Sequence, residues 1–375
     1  MGVFFCYSNN PYDYREGIDF SDYLRMLMEV DYIVVGSGLA GIAFCEKLSE
    51  HNKSFVVFDD GSQKSSSVAG GLYNPVVLKR FTSVWKSKEQ LGKALPLYNK
   101  LEKQFGVQLD YKIPVYRKFA SLEEQNDWFA ASDKTNLSEY LSPKIVKNTN
   151  KNINAAFGFG EVLGTGRIDV HKLVTLYKNY LFKNNMLLEE AFDYSLVQAT
   201  DQGIFYKGIK TKYIVFSEGF GVSKNLFFQY LPLVPTKGEL LIIEAPDLNM
   251  DFVLKGNGFL IPVGNSHYIV GATYDWNDTS QQTTDKGKEE LLVKLKNLIT
   301  CKFKVVGQVA GVRPTVKDRR PLVGQHQQHK NLYVLNGLGT RGVMIGPYVA
   351  EQLFNFIEYK MPLEKEINII RFKVK

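Results

Sequence analysis

Six residues near the start of the chain have types and spacing suited to holding phosphates: Gly36-Ser37-Gly38-Leu39-Ala40-Gly41, a G-x-G-x-x-G run. In such a run the first glycine permits a tight turn. The second lets the backbone approach a pyrophosphate where a Cβ would collide, and the third lets a following helix pack on a preceding strand. The helix start then offers free N–H groups and partial positive charge to the phosphates. Asp59 closes the next apolar run, where a carboxylate can accept hydrogen bonds from a ribose diol and would repel a 2′-phosphate. Far downstream, residues 332–350 (LYVLNGLGTRGVMIGPYVA) repeat the order of apolar run, glycine loop and helix. Gly337, Gly339 and Gly342 there would let backbone N–H groups reach a flat ring or its ribityl chain. A coincidental glycine turn would not be followed in order by helix, strand and acid, so the segment reads as a dinucleotide site. FAD and NAD both use this turn.

The motif carries that meaning only between a strand and a helix. Residues 32–35 form a short apolar run ended by Gly36, which suits a strand buried on both faces of a parallel sheet. Residues 41–48 are predicted to be helical, with Ile42, Cys45 and Leu48 on one side, and 55–58 form a second buried strand. Together they make one βαβ unit. A Gly/Ser-rich loop covers 61–80. The spacing predicts helices over 87–105, 121–131, 169–185, 285–300 and 343–358. A strand pair is expected near 107–119, and short strands near 187–193, 195–200, 203–207 and 212–217. Residues 233–274 alternate like antiparallel strands joined by Gly/Asn turns. Strand signals return at 303–311 and 332–335. Parallel character marks the start, the region near 170–220 and the end, with antiparallel character between. The expected fold is therefore a discontinuous α/β, Rossmann-like nucleotide domain from residues 28–80, 160–225 and 303–375. A second α+β domain with a mostly antiparallel sheet would come from 81–159 and 226–302. Residues 1–27 lack a period and read as an N-terminal extension.

Composition narrows the function classes. A chain of 375 residues, 45% hydrophobic and 13% aromatic, supports two or three cored domains and excludes general disorder. Cys6, Cys45 and Cys301 are too few and too scattered for a disulfide scaffold or a Cys-rich zinc site, and five dispersed histidines show no metal spacing. The net charge of +7 fits either an anionic partner such as RNA or an acidic substrate, or plain lysine richness. The second is preferred, because no arginine stripe or tail concentrates the charge. No run approaches the ~18 apolar residues needed to span a bilayer. The N-terminus lacks the order of a signal peptide, and Cys6 stands where a myristoylation signal needs Ser or Thr. A soluble, cytoplasmic protein is expected.

The order GSGLAG, VAGGLYNP, GATY, GVRPTVKDRRPLVG and GLGTRGVMIGP, across 29–358, resembles the FAD-dependent amine and amino-acid oxidoreductase family of the D-amino-acid oxidase, glycine oxidase and sarcosine oxidase type. It is also similar to the flavin domain of the bifunctional tRNA 5-methylaminomethyl-2-thiouridine biosynthesis enzyme. The resemblance implies FAD as cofactor, bound without a covalent link, since no cysteine adjoins the C-terminal loop. It places Gly36 to Gly41 on the pyrophosphate and Asp59 on the ribose. Ser67, Ala69, Gly70 and Gly71 would lie near the flavin ring, and Ser217 and Gly219 in a turn closing on FAD. Gly337, Gly339, Thr340, Arg341, Gly342, Val343 and Met344 would run beside the pyrimidine edge, where a helix N-terminus stabilises a reduced anion.

The same resemblance makes Arg313, in the G-x-R-P segment, a clamp for a substrate carboxylate, a role suited to a planar guanidinium. The alternative is a structural pair with Asp318. Arg341 stands one position later than the family's usual loop arginine, so flavin, substrate and solvent all remain open for it. Phe259 and Tyr274 would face the flavin from antiparallel strands; ordinary sheet packing is the alternative for both. Glycine oxidase has tyrosine where this chain has Phe259, which implies a larger or more apolar substrate. Asn74-Pro75 and Arg80 are candidates for the entrance. No catalytic acid or base stands out, and positioning plus electrostatics can carry such a reaction. The implied function is oxidation of a C–N bond in a small amino acid or secondary amine by hydride transfer to flavin N5. The electron acceptor is open among oxygen, a quinone and a partner protein. The alternative is a tRNA wobble-uridine oxidoreductase acting on a carboxymethylaminomethyl group, favoured by the GLGTRG loop and the charge. A third reading is a flavoprotein without turnover.

Overall fold

In the first sheet of the computed structural model, which describes residues 28–200 and 203–372, the strand Glu29–Val35 has parallel neighbours on both sides. Phe55–Phe58 pairs with it on one side and Ile209–Phe216 on the other, so Tyr32 faces both Phe55 and Tyr213. Leu187–Leu188 extends the parallel set beyond Phe55–Phe58, and Leu332–Asn336 extends it beyond Ile209–Phe216. Successive side chains of a strand point to opposite faces. Here both faces are covered. Tyr32 and Val34 pack with the helices Leu39–Glu50, Ser87–Phe105, Val170–Lys183 and Gly342–Tyr359. Ile33 and Val35 pack on the other side with Phe58, Phe192 and Phe216. Two covered faces explain why the strand reads as an unbroken apolar run.

The second sheet runs in the order Lys304–Arg313, Thr236–Glu244, His267–Gly271, Phe259–Gly264, Val253–Lys255, Val115–Lys118, Phe159–Val162 and Leu141–Val146. Its pairs are antiparallel except Val253–Lys255 on Val115–Lys118. Helix Asp285–Lys296 seals one face through Leu291 and Leu295. Helix Leu122–Ser132 covers the far end, burying Trp128. The mixed α/β fold, a Rossmann-like layer with a second, mostly antiparallel layer, is as expected.

The differences lie in which sheet each strand joins. Residues 107–119 do not make a hairpin. Asp110–Tyr111 pairs with Gly166–Ile168, while Val115–Lys118 enters the large sheet, with Pro114 between them. Lys304–Arg313 was assigned to the nucleotide segment, but it lies at the edge of the second sheet, in register from Thr236↔Arg313 to Glu244↔Lys304. Phe159–Val162 also belongs there, so the boundary at 160 cuts a strand. An edge strand is half exposed, and its pattern marks a strand without naming a partner. The expected strand at 187–193 shrinks to Leu187–Leu188. Strands Leu141–Val146 and Leu322–Gln325 were not foreseen. The extension 1–27 lies outside the described residues. Among the described residues no helix is long and apolar enough to cross a membrane.

Candidate active site

A cleft of about 1370 Å³ opens where the carboxyl ends of the parallel strands meet the second sheet. Ligands of open α/β sheets occupy this position. The volume exceeds that of an ordinary small-molecule pocket, which holds roughly 300–1,000 Å³.

The glycine turn forms one end. Gly36 has φ +100°, and a Cβ there would come within 2.5 Å of the Ser217 carbonyl oxygen. A Cβ on Gly41 would overlap the Gly36 carbonyl oxygen, so the helix start rests directly on the turn. At Gly38 the only neighbour within 4 Å of a Cβ is the Ser66 side chain, with Oγ at 3.0 Å, and the space beyond is cleft. Helix Leu39–Glu50 has no acid in its first turn and no cap from its own N-cap glycine, and Ser66 Oγ accepts from the Leu39 N–H at 3.1 Å. Its first N–H groups and partial positive charge therefore suit an anion. Ser217 Oγ, beside them, is buried without a hydrogen-bond partner among the described residues, and a ligand hydroxyl or phosphate would satisfy it. A glycine floor, a helix start without an acid, an orphaned hydroxyl and a long cleft together fit a dinucleotide.

Asp59 lines the cleft, but donors already surround its carboxylate. Oδ2 accepts from Ser37 N–H at 2.7 Å and Ser37 Oγ at 2.6 Å; Oδ1 accepts from Gly61 N–H at 2.7 Å and Lys178 Nζ at 2.9 Å. Burial would raise this carboxyl, yet the Ser37 hydroxyl and the Lys178 ammonium more than offset it and hold Asp59 below the usual carboxylate range. Asp59 thus ties the glycine turn to the second strand. Glu218 is a site residue the sequence reading missed. Burial pushes its carboxyl up to about 7, against hydrogen bonds from Tyr194 and Asn225.

Arg313 ends its strand opposite Thr236. Its guanidinium lies over Gly238, where a Cβ would overlap Cζ and both Nη atoms. The Tyr274 ring stacks on it at 4.7 Å. Among the described residues the guanidinium makes one hydrogen bond, from Nη1 to the Thr273 carbonyl, long at 3.4 Å. The alternative pairing with Asp318 does not occur: Arg371 holds that carboxylate at 2.8 Å. Burial lowers the Arg313 pKa, but a guanidinium stays charged. Arg341 caps the final helix and faces the same cleft with no carboxylate in ion-pair range among the described residues. A cation at a helix N-terminus opposes the dipole, so an anion in the cleft would offset both.

Phe259 and Tyr274 both reach the cleft. Phe259 fills the space that a Cβ at Gly271 would take, while Tyr274 stands half exposed at the mouth. Gly36, Gly38, Leu39 and Ala40 line the cleft, as do Ala69, Gly70 and Gly71, Ser217 and Gly219, and Gly339, Thr340, Gly342 and Val343. Five expected residues stand behind the wall. Ser37 serves Asp59, and Gly41 packs on the turn. Ser67 turns to the Lys64 carbonyl, leaving Ser66 at the cleft. Gly337 makes the bend with φ +73°, and Met344 is core. Asn74 lines the cleft, whereas Pro75 and Arg80 do not. Lys255 is the second missed residue: it reaches the wall with Nζ 4.5 Å from the Phe259 ring centre. A lysine before a Gly-Asn-Gly turn reads as a solvated surface residue, so nothing in the sequence marked it. Among the described residues no cluster of side chains could hold a metal ion.

Known proteins resemble this chain in family and in fold. Residues 31–355 match the family described as FAD dependent oxidoreductase. Glycine oxidase from Bacillus subtilis (strain 168) is 23% identical over 367 residues, covering 92% of this chain and 95% of that protein. The crystal structure of glycine oxidase from Geobacillus kaustophilus superposes with a TM-score of 0.76 at 18% identity, covering 93% of this chain and 99% of that one. The tRNA 5-methylaminomethyl-2-thiouridine biosynthesis bifunctional protein of Idiomarina loihiensis is 29% identical over 154 residues, 38% of this chain and 25% of that protein.

Proposed function

Because this chain belongs to the FAD-dependent oxidoreductase family, we propose that it oxidises the C–N bond of a small amino acid or secondary amine. The parallel layer would bind FAD and the second sheet the substrate. Bound FAD supplies the acceptor for a hydride from the carbon beside nitrogen, leaving an imine that water hydrolyses.

The observation that carries the reading is Arg313: a planar charged fork held over bare backbone at Gly238, stacked on Tyr274, with no carboxylate partner among the described residues. Such a fork binds a carboxylate through two parallel N–H bonds. The stack and the Gly238 floor restrict its orientation, so the rest of the substrate is positioned as well. Phe259 and Gly271 add no acid to the wall beside it, and the Lys255 ammonium over Phe259 disfavours a protonated amine there. The Gly339–Val343 loop brings a helix N-terminus to the same cleft, where partial positive charge favours a reduced, anionic ring. The near-complete coverage of a glycine oxidase, against a 38% match to the tRNA-modifying protein, supports a small substrate over tRNA.

The test is anaerobic mixing of the FAD-loaded protein with glycine, N-methylglycine, both alanine enantiomers, proline and simple amines. Substrate-dependent bleaching of the flavin is expected for amino acids. If dithionite bleaches the flavin and none of these compounds does, the reading fails. Salt-sensitive binding of tRNA, with reduction only by modified tRNA, would instead favour the wobble-uridine reaction.

A further inference from the structure

Eight cationic side chains line the cleft among the described residues, and Arg117, Lys255, Arg313 and Arg341 are four of them. One of these four is neutralised within the fold. Arg117 donates from Nε and Nη2 to the Glu124 carboxylate at 2.9 and 2.5 Å, and from Nη1 to the Gly256 carbonyl at 3.2 Å. The other three have no carboxylate partner among the described residues. Arg313 accounts for one substrate carboxylate. A glycine-like substrate leaves the remaining positive charge unanswered.

Lys255 is the sharper case. It ends the strand Val253–Lys255, directly opposite Phe259. Its Nζ lies over the Phe259 ring and has no hydrogen-bond acceptor among the described residues. Burial, then Arg341 and Arg117, push its pKa down to about 8. An ammonium carries three donors, and placing it in a wall beside other cations is unfavourable unless an anion arrives.

Sheet order gives the span between the two anchors. The Arg313 guanidinium lies over Gly238 on Thr236–Glu244, and the Lys255 ammonium lies over Phe259 on Phe259–Gly264. Only His267–Gly271 runs between these strands. Leu240, Gly271 and Phe259 share one row across these strands and Gly238 lies two residues further along, so two strand spacings and that offset put the Gly238 and Phe259 backbones about 12 Å apart. A substrate with carboxylates at both ends of a three- or four-atom bridge, plus a hydrogen bond of ~3 Å at each end, spans about the same length. Glycine or N-methylglycine, held by Arg313, stops short of Lys255.

We propose that the substrate carries two carboxylates, one clamped by Arg313 and the other held by Lys255 with Arg341 beside it: an acidic amino acid or an N-carboxyalkyl amino acid. This rests on the amine-oxidation reading and adds the substrate class to it.

The test uses FAD-loaded wild type, Lys255→Met and Lys255→Arg. Flavin reduction at low substrate is compared for iminodiacetate and D-aspartate against N-methylglycine and D-alanine. In parallel, glutarate and butyrate, the carbon isosteres of iminodiacetate and N-methylglycine, are titrated against the flavin spectrum. Wild type should favour the dicarboxylates. Lys255→Met should lower the dicarboxylate-to-monocarboxylate ratio by roughly 10- to 100-fold, the worth of one charge-assisted contact. Lys255→Arg should restore part of it. Equal or better reduction of monocarboxylates by wild type overturns the proposal. So does a proportional loss for both classes in Lys255→Met, or equal affinity for glutarate and butyrate in wild type. If no amino acid reduces the flavin, the oxidation reading falls, and the glutarate-to-butyrate ratio alone decides Lys255. If Lys255→Met does not fold, wild type and Lys255→Arg decide it.

Discussion

Gly238→Ala isolates what the placement of Arg313 contributes, because it leaves the guanidinium in the protein but moves it. The three atoms nearest to a Cβ at 238 are Cζ and the two Nη atoms of Arg313, all overlapped. Restoring an ordinary contact of about 3.5 Å requires the guanidinium to retreat on the order of 1.5 Å. Misplacing a positioning group by ~1 Å can cost about 100-fold. Removing the fork altogether, in Arg313→Leu, should cost about 2–5 kcal/mol, or roughly 30- to several-thousand-fold. Gly238→Ala should therefore lower flavin reduction at low substrate by ~10- to 100-fold. The melting temperature and FAD content should hold, because none of the three nearest atoms is backbone and Gly238 lacks a positive φ. In the double variant the alanine should add little to the leucine, since both act through one contact. The assay is anaerobic stopped-flow on all three variants, with an amino acid and with an amine lacking the carboxylate. Wild-type rates in Gly238→Ala, or equal losses for both substrates, would refute the reasoning.

Gly38→Val should abolish FAD binding while the apoprotein keeps its circular dichroism, since only the Ser66 side chain lies near; Gly41→Ala should cost both, because its Cβ meets the Gly36 carbonyl. Acid precipitation should release all flavin as free FAD into the supernatant, and pigment left in the pellet would mean a covalent link. Lys178→Met should destabilise the protein by about 1 kcal/mol at pH 7. The lowered Asp59 pKa contributes stability above its unfolded value, and that stability is lost as pH falls through the folded value. The deficit should therefore vanish in acid melts. The preference for glutarate over butyrate should decline as pH rises through about 8, where free Lys255 loses the proton that dicarboxylate binding requires. Arg341 and Arg117 are the neighbouring cations that push it down.

The nucleotide half was legible because its signals are local. A strand covered on both faces must be continuously apolar, and 55–58 was placed to the residue. The glycine turn needs six consecutive residues, and its meaning survives without knowledge of the rest. The second sheet depends on pairings that a linear pattern does not encode. Lys304–Arg313 shows a strand but not its partner, so its assignment to the wrong segment followed from chain order. Asp59 was found by position, yet Lys178, more than a hundred residues away, occupies one of its oxygens. Lys255 was invisible for the opposite reason: its neighbours in sequence are turn formers, and its neighbours in space, Phe259 apart, come from distant elements.

Arg313 and Lys255 hang from the two layers in different ways. Arg313 stands where an edge strand of the second sheet hands the chain back to the first. Gly339 N–H donates to the Pro314 carbonyl at 3.3 Å and Val234 N–H to the Thr315 carbonyl at 2.7 Å, tying this crossing to the cofactor loop. Lys255 sits on a three-residue strand within the second sheet, away from the chain's passages into the cofactor layer. The molecule is modular in a heritable sense. On the proposed substrate, a change on the short strand would alter which side group is accepted while Arg313 and the cofactor loop are inherited intact, so descendants of one ancestor would diverge in diet by single substitutions there.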